Sequence, residues 1–70
     1  MKEKAYPKYD GVRSGNKVSW LYYISKDKAL EASGVAKHNA EIRWAQGFDF
    51  GYQSPGSVEE VDGSFEVCIP

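Results

Sequence analysis

The 70-residue chain is 41% hydrophobic and 14% aromatic with a formal net charge of −1, which fits one small domain over residues 1–70 and excludes a disordered tail. Its single cysteine, Cys68, excludes an internal disulfide, and no apolar run approaches the roughly 20 residues that span a bilayer. No signal-like apolar segment follows Met1, so the expectation is a soluble, cytoplasmic protein without a membrane partner.

A domain this short buries only about 60% of the surface its unfolded chain exposes, so a homodimer or another protein partner is the expected source of further stability. The near-neutral total charge conceals a polarity. Seven basic residues face three acidic ones up to position 28, and two face seven from position 29 onward. Self-complementarity between the two ends of one fold accounts for such a split, and so does a bipolar surface that steers a charged partner.

In chain order, residues 1–8 are polar, lysine-rich and interrupted by Pro7, and read as a flexible lead-in with Tyr6 and Tyr9 as anchors. A hairpin follows: an arm over residues 9–13, a turn at Ser14-Gly15-Asn16, and a longer strand over 17–25. In that strand Val18, Trp20, Tyr22 and Ile24 share one face, while Ser19, Leu21 and Tyr23 share the other. Apolar residues on both faces predict a central strand.

Ser25 or Asp27 supplies an N-cap for a helix predicted over residues 26–46, with Gly47 as its stop. At 100° per residue, Ala29, Ala32, Ser33, Ala36, Ala40 and Trp44 fall on one broad face, with Leu30 at its edge. Small residues there let a helix sit close on a sheet. Val35 and Ile42 form a separate narrow stripe outside that face.

Residues 46–56 place Phe48, Phe50 and Tyr52 in alternation with Asp49 and Gly51, which predicts a short strand with one aromatic face. Such a face is either the floor of a small core or a stacking surface. After the Ser54-Pro55-Gly56 turn, a second hairpin is predicted from residues 57–61 and 64–69 around Asp62-Gly63, a pair that favours primed turns. Phe65, Val67 and Ile69 alternate with Glu66 and Cys68, giving one buried and one wet face. The expected fold is α+β: hairpin, helix, strand, hairpin, forming a mainly antiparallel sheet of four or five strands with one helix packed on one face. Trp20, Phe48, Phe50, Phe65, Val67 and Ile69 are expected to meet the alanine face in one core.

Catalytic and ligand constellations are sparse. His38 and Cys68 are the only imidazole and thiol, which excludes a cysteine/histidine zinc site within one chain, since about four such ligands are needed. His38 and Glu41, three apart on the helix, can present one imidazole and one carboxylate to a metal across a dimer, although a local polar contact is the ordinary role of such a pair. A Cys68/His38 nucleophile pair requires contact that sequence does not show. There is no phosphate loop or dinucleotide fingerprint. No enzyme activity, cofactor or metal is expected.

Two binding functions from different classes follow. The segment Gly47-Phe48-Asp49-Phe50-Gly51-Tyr52 resembles the aromatic strand motif of RNA-recognition domains, whose rings stack bases. The resemblance implies single-stranded nucleic-acid binding through Phe48, Phe50 and Tyr52, with Lys2, Lys4 and Lys8 neutralising phosphates. It covers six residues and departs from the motif at Gln46, where a basic residue is usual, at Asp49, and in having one helix. The other expectation is a small non-enzymatic protein-interaction module, self-associating and acting as an adaptor or inhibitor, as accessory proteins of mobile elements do. One helix covers one sheet face, so Leu21 and Tyr23 are its first expected interface residues, with Val35 and Ile42 second.

Overall fold

The computed structural model describes residues 2–70 as one four-stranded antiparallel sheet with one helix on one face. The first hairpin pairs β1 (Gly11–Ser14) with β2 (Ser19–Tyr23). Its turn needs glycine because a Cβ at Gly15 would collide with the Trp20 ring and lie 2.6 Å from the Val18 carbonyl oxygen. Helix α1 (Lys26–Ala45) starts at Ser25, whose extended backbone lets Oγ accept the Lys28 N–H at 3.5 Å. It ends at Gln46, and Gly47 follows in the left-handed region with φ 89°. The second hairpin joins β3 (Val58–Val61) to β4 (Ser64–Ile69). Asp62 and Gly63 have φ of 49° and 79°, the pair of positive values that a type I′ turn demands.

The strand order is β1-β2-β4-β3. Both β2 and β3 run antiparallel to β4 between them, so they are parallel to each other and joined by the helix. The register sets Leu21 opposite Val67 and Tyr23 opposite Phe65. These four side chains therefore share a face. Leu21, Tyr23 and Val67 form the core with Ala29 and Ala32 of the helix, all at most 2% exposed, and Tyr6, Val58, Phe65 and Ile69 pack at its margin.

This register turns β2 over relative to expectation. Leu21 and Tyr23 are core beneath the helix, not an open interface, and Trp20 and Tyr22 lie on the opposite face with Glu66. Arg13 covers that second face. Its guanidinium carbon is 4.2 Å from the Trp20 ring centroid, its Nε donates to the Tyr22 hydroxyl at 3.0 Å, and its Nη2 lies 3.7 Å from Glu66 Oε2. A stacked, hydrogen-bonded guanidinium makes this a polar-capped surface.

The helix lies over β4 more than over β2, and the N-terminal segment occupies the space beside it. Residues 2–8 of the expected lead-in form a strap, and Met1 lies outside the described residues. The Lys4 N–H donates to Asn39 Oδ1 at 2.7 Å, while Asn39 Nδ2 donates to the Lys4 carbonyl at 3.0 Å and to the Tyr6 hydroxyl at 3.1 Å. His38 Nε2 donates to the Lys2 carbonyl at 3.1 Å, and Arg43 Nε to Glu3 at 3.1 Å. The Tyr23 hydroxyl donates to the Pro7 carbonyl at 2.8 Å, which carries the strap onto the sheet. Ile42 adjoins His38 and Asn39 on the helix surface and is 7% exposed, so the expected Val35/Ile42 stripe lies on the side where the strap is anchored. Val35 is half-buried.

The aromatic segment forms no strand. Residues 46–57 connect the helix to β3 as an irregular loop. Only Phe50 of its aromatics is buried, in a second cluster with Val18 and Cys68 against which Trp20 and Ala40 pack. Phe48, expected in the core, is 36% exposed. Near the loop's end Gly56, with φ 94°, presses against the helix. A Cβ there would collide with Lys37, and the Ser33 hydroxyl donates to the Gly56 carbonyl.

Candidate functional site

A helix of 20 residues is about 30 Å long, whereas strands of four to six residues reach roughly 13–20 Å. The helix therefore overhangs the sheet. Trp44, on the alanine face by periodicity, sits on this overhang and is 67% exposed. The loop then turns back beneath it. The Gly47 N–H donates to the Trp44 carbonyl at 2.9 Å and the Phe48 N–H to the Arg43 carbonyl at 3.0 Å, which closes the helix end and places Phe48 beside Trp44.

Phe48 and Phe50 meet with ring centroids 4.8 Å apart and planes tilted by 50°, so the buried ring steadies the exposed one. Asp49 Oδ1 accepts the Gly51 N–H at 2.8 Å, a local turn that directs Tyr52 outward, where it is fully exposed. Two shallow clefts flank this ridge. One, of about 420 Å³, is lined by Trp44, Gly47, Phe48 and Asp49. The other, of about 250 Å³, lies between the loop from Phe50 to Gln53 and the turn residues Asn16 and Lys17.

The structure thus brings Phe48, Phe50 and Tyr52 together in one loop, while two of the three expected lysines are bonded to the helix through their main-chain groups. Lys2 and Lys4 are anchored at His38 and Asn39, a turn or more before Trp44, and Lys8 is exposed just beyond Pro7. The cation beside the loop is Lys17, whose Nζ lies 3.6 Å from where a Gly51 Cβ would stand. Trp44 and Lys17 were not legible as site residues from spacing. The one available signal for Trp44 was helix length against strand length.

Burial pushes the Cys68 thiol above its ordinary value, with a backbone contact from Ser54 acting in the opposite direction, so the thiolate is disfavoured. His38 is hydrogen-bonded to Lys2 on the strap, and Cys68 faces away from the helix by its register with Trp20. Among the described residues no three His, Cys, Asp or Glu side chains gather at metal-binding distances, and no helix is long and apolar enough to cross a membrane. No family model, curated protein or solved structure matches this chain.

Proposed function

We propose that this chain is a non-enzymatic protein-interaction module, an adaptor or inhibitor that docks its partner through the aromatic ridge at the end of the helix. The reading rests on the exposure of Trp44 and Tyr52, 67% and complete, beside Phe48 at one end of the molecule. Large rings carry a disproportionate share of binding energy at protein interfaces, and nothing in the fold requires these to stand in water. The helix-side face of β2, by contrast, is already covered. Self-association is expected to use the same ridge.

The test combines solution mass with partner capture, comparing the parent with Trp44→Ser and Tyr52→Ser. Both variants should keep the parent's denaturant midpoint, since the replaced rings pack little, and both should lose the captured protein or the dimer. Retention of mass and partner by both variants would remove the ridge from the interface.

A second reading, single-stranded nucleic-acid binding, draws support from the cleft where Tyr52, Phe50 and Lys17 adjoin Asn16 and Gln53. A ring, a cation and amides are the elements of a stacking platform. Titration of labelled single-stranded DNA and RNA at low salt should then give binding that weakens steeply with salt and disappears in Lys17→Glu. An absent anisotropy change would dismiss it.

A further inference from the structure

We infer that the cleft between Trp44, Phe48 and Asp49 receives a cationic side chain, an arginine or lysine presented by the protein partner. This rests on the reading that the ridge docks a protein, and it names the chemistry of the contact. Three observations converge on positive charge. Two aromatic rings line the cleft, and ring faces attract cations through their quadrupole. Asp49 lines it as well, and its carboxylate is fixed close by through Oδ1, which accepts the Gly51 N–H. The cleft also opens at the carboxyl end of a 20-residue helix, where partial negative charge collects.

Arg43, the cation next to Trp44 in sequence, is paired with Glu3 of the strap at 3.1 Å. The lining is also preorganised. Phe48 is held by the tilted Phe50 ring and by its N–H bond to the Arg43 carbonyl, so little freedom is lost on binding. A neutral apolar ligand would leave the carboxylate poorly solvated, and an anion would meet both Asp49 and the helix end. A planar guanidinium can stack on a ring while pairing with a carboxylate, and Arg13 already lies on Trp20 with its Nη2 3.7 Å from Glu66 Oε2.

The probe is Nα-acetyl-arginine amide, compared with Nα-acetyl-citrulline amide, which keeps the shape and removes the charge. With NMR titration of the full chain, the arginine compound should shift the Trp44 indole N–H and the Asp49 amide saturably, roughly two- to fivefold more tightly than citrulline. Trp44→Ala should abolish the shifts. Asp49→Asn, which retains an acceptor for the Gly51 N–H, should narrow the preference for arginine over citrulline without abolishing it. Equal response to both compounds, or no saturable shift at tens of millimolar, overturns the cation assignment. Loss of partner capture in Trp44→Ser without an arginine-specific shift overturns this inference while leaving the docking ridge in place. An arginine-specific shift with parental capture by Trp44→Ser sustains the cation site and removes the docking reading.

Discussion

Asn39 is 1% exposed, and its amide answers both backbone groups of Lys4 and the Tyr6 hydroxyl. A side-chain amide holds a donor and an acceptor side by side, so it can pair with a passing backbone much as a neighbouring strand would. Replacing it with Leu leaves the Lys4 groups unpaired in a partly buried place. Asn39→Leu should cost about 1–3 kcal/mol in denaturant unfolding and hasten tryptic cleavage after Lys4 and Lys8. An unchanged midpoint and cleavage rate would mean that the strap is held by other contacts. Tyr23 gives a second prediction. Burial, with smaller contributions from the charges of neighbouring tyrosines and acids, pushes its phenol from 10.0 up to about 12. The folded state thus favours the neutral form, and the corresponding stability is complete below pH 10 and is lost as pH rises toward 12. The parent should lose roughly 2–3 kcal/mol across that window on this account. Tyr23→Phe, weakened by about 1 kcal/mol at neutral pH through the lost bond to Pro7, should decline less steeply. Parallel alkaline profiles for the two proteins would refute this.

The helix is the element on which both the core and the ridge depend. Ala29, Ala32 and Ala36 are fully buried, and they are small because the backbone must approach β4 closely. Ala36→Leu should therefore destabilise by roughly 1–3 kcal/mol through overpacking, read as a lower denaturant midpoint. An unchanged midpoint would place that face in solvent. The helix was legible in outline: its Ser25 cap, its Gly47 stop and its alanine face all lie where local signals put them. Its far end was not. Periodicity assigns Trp44 to the buried face, but a face is buried only where something lies beneath it, and the sheet ends first. The two hairpins were also legible, since Asp62-Gly63 and the turn around Gly15 specify their own geometry.

At the scale of the molecule, one helix and one strap together cover one side of the sheet, while Arg13 stacked on Trp20 finishes the other. A small domain holds a net stability of a few kcal/mol, so a charge placed under the helix should exceed its reserve. Leu21→Lys is accordingly expected to abolish cooperative unfolding monitored by circular dichroism, whereas Trp44→Ala should leave the melting curve near that of the parent. A folded Leu21→Lys protein would contradict the observed register, because Leu21 and Val67 face each other across β2 and β4.

The strand ends and the burial of Cys68 on the β4 face expected to be wet were not legible. What the amino-acid order determined by itself was local: where the helix begins and ends, which turns reverse the chain, and that Phe65, Val67 and Ile69 share one face of β4. Those features depend on residues a few positions apart, through caps, turn chemistry and periodicity. Three matters were decided only by tertiary structure. A strand apolar on both sides carries no statement of which side faces inward, and the choice for β2 came from pairing with β4, some 45 residues on. The alternation of Phe48, Phe50 and Tyr52 fits a strand, yet no neighbouring backbone takes it up, so it remains a loop with one ring anchored beside Cys68 and two left outside. A lysine-rich lead-in became a strap because Asn39, which looks like any surface residue of a helix, stands where the Lys4 backbone passes. In each case the deciding partner is distant in sequence, and short-range pattern carries no information about it.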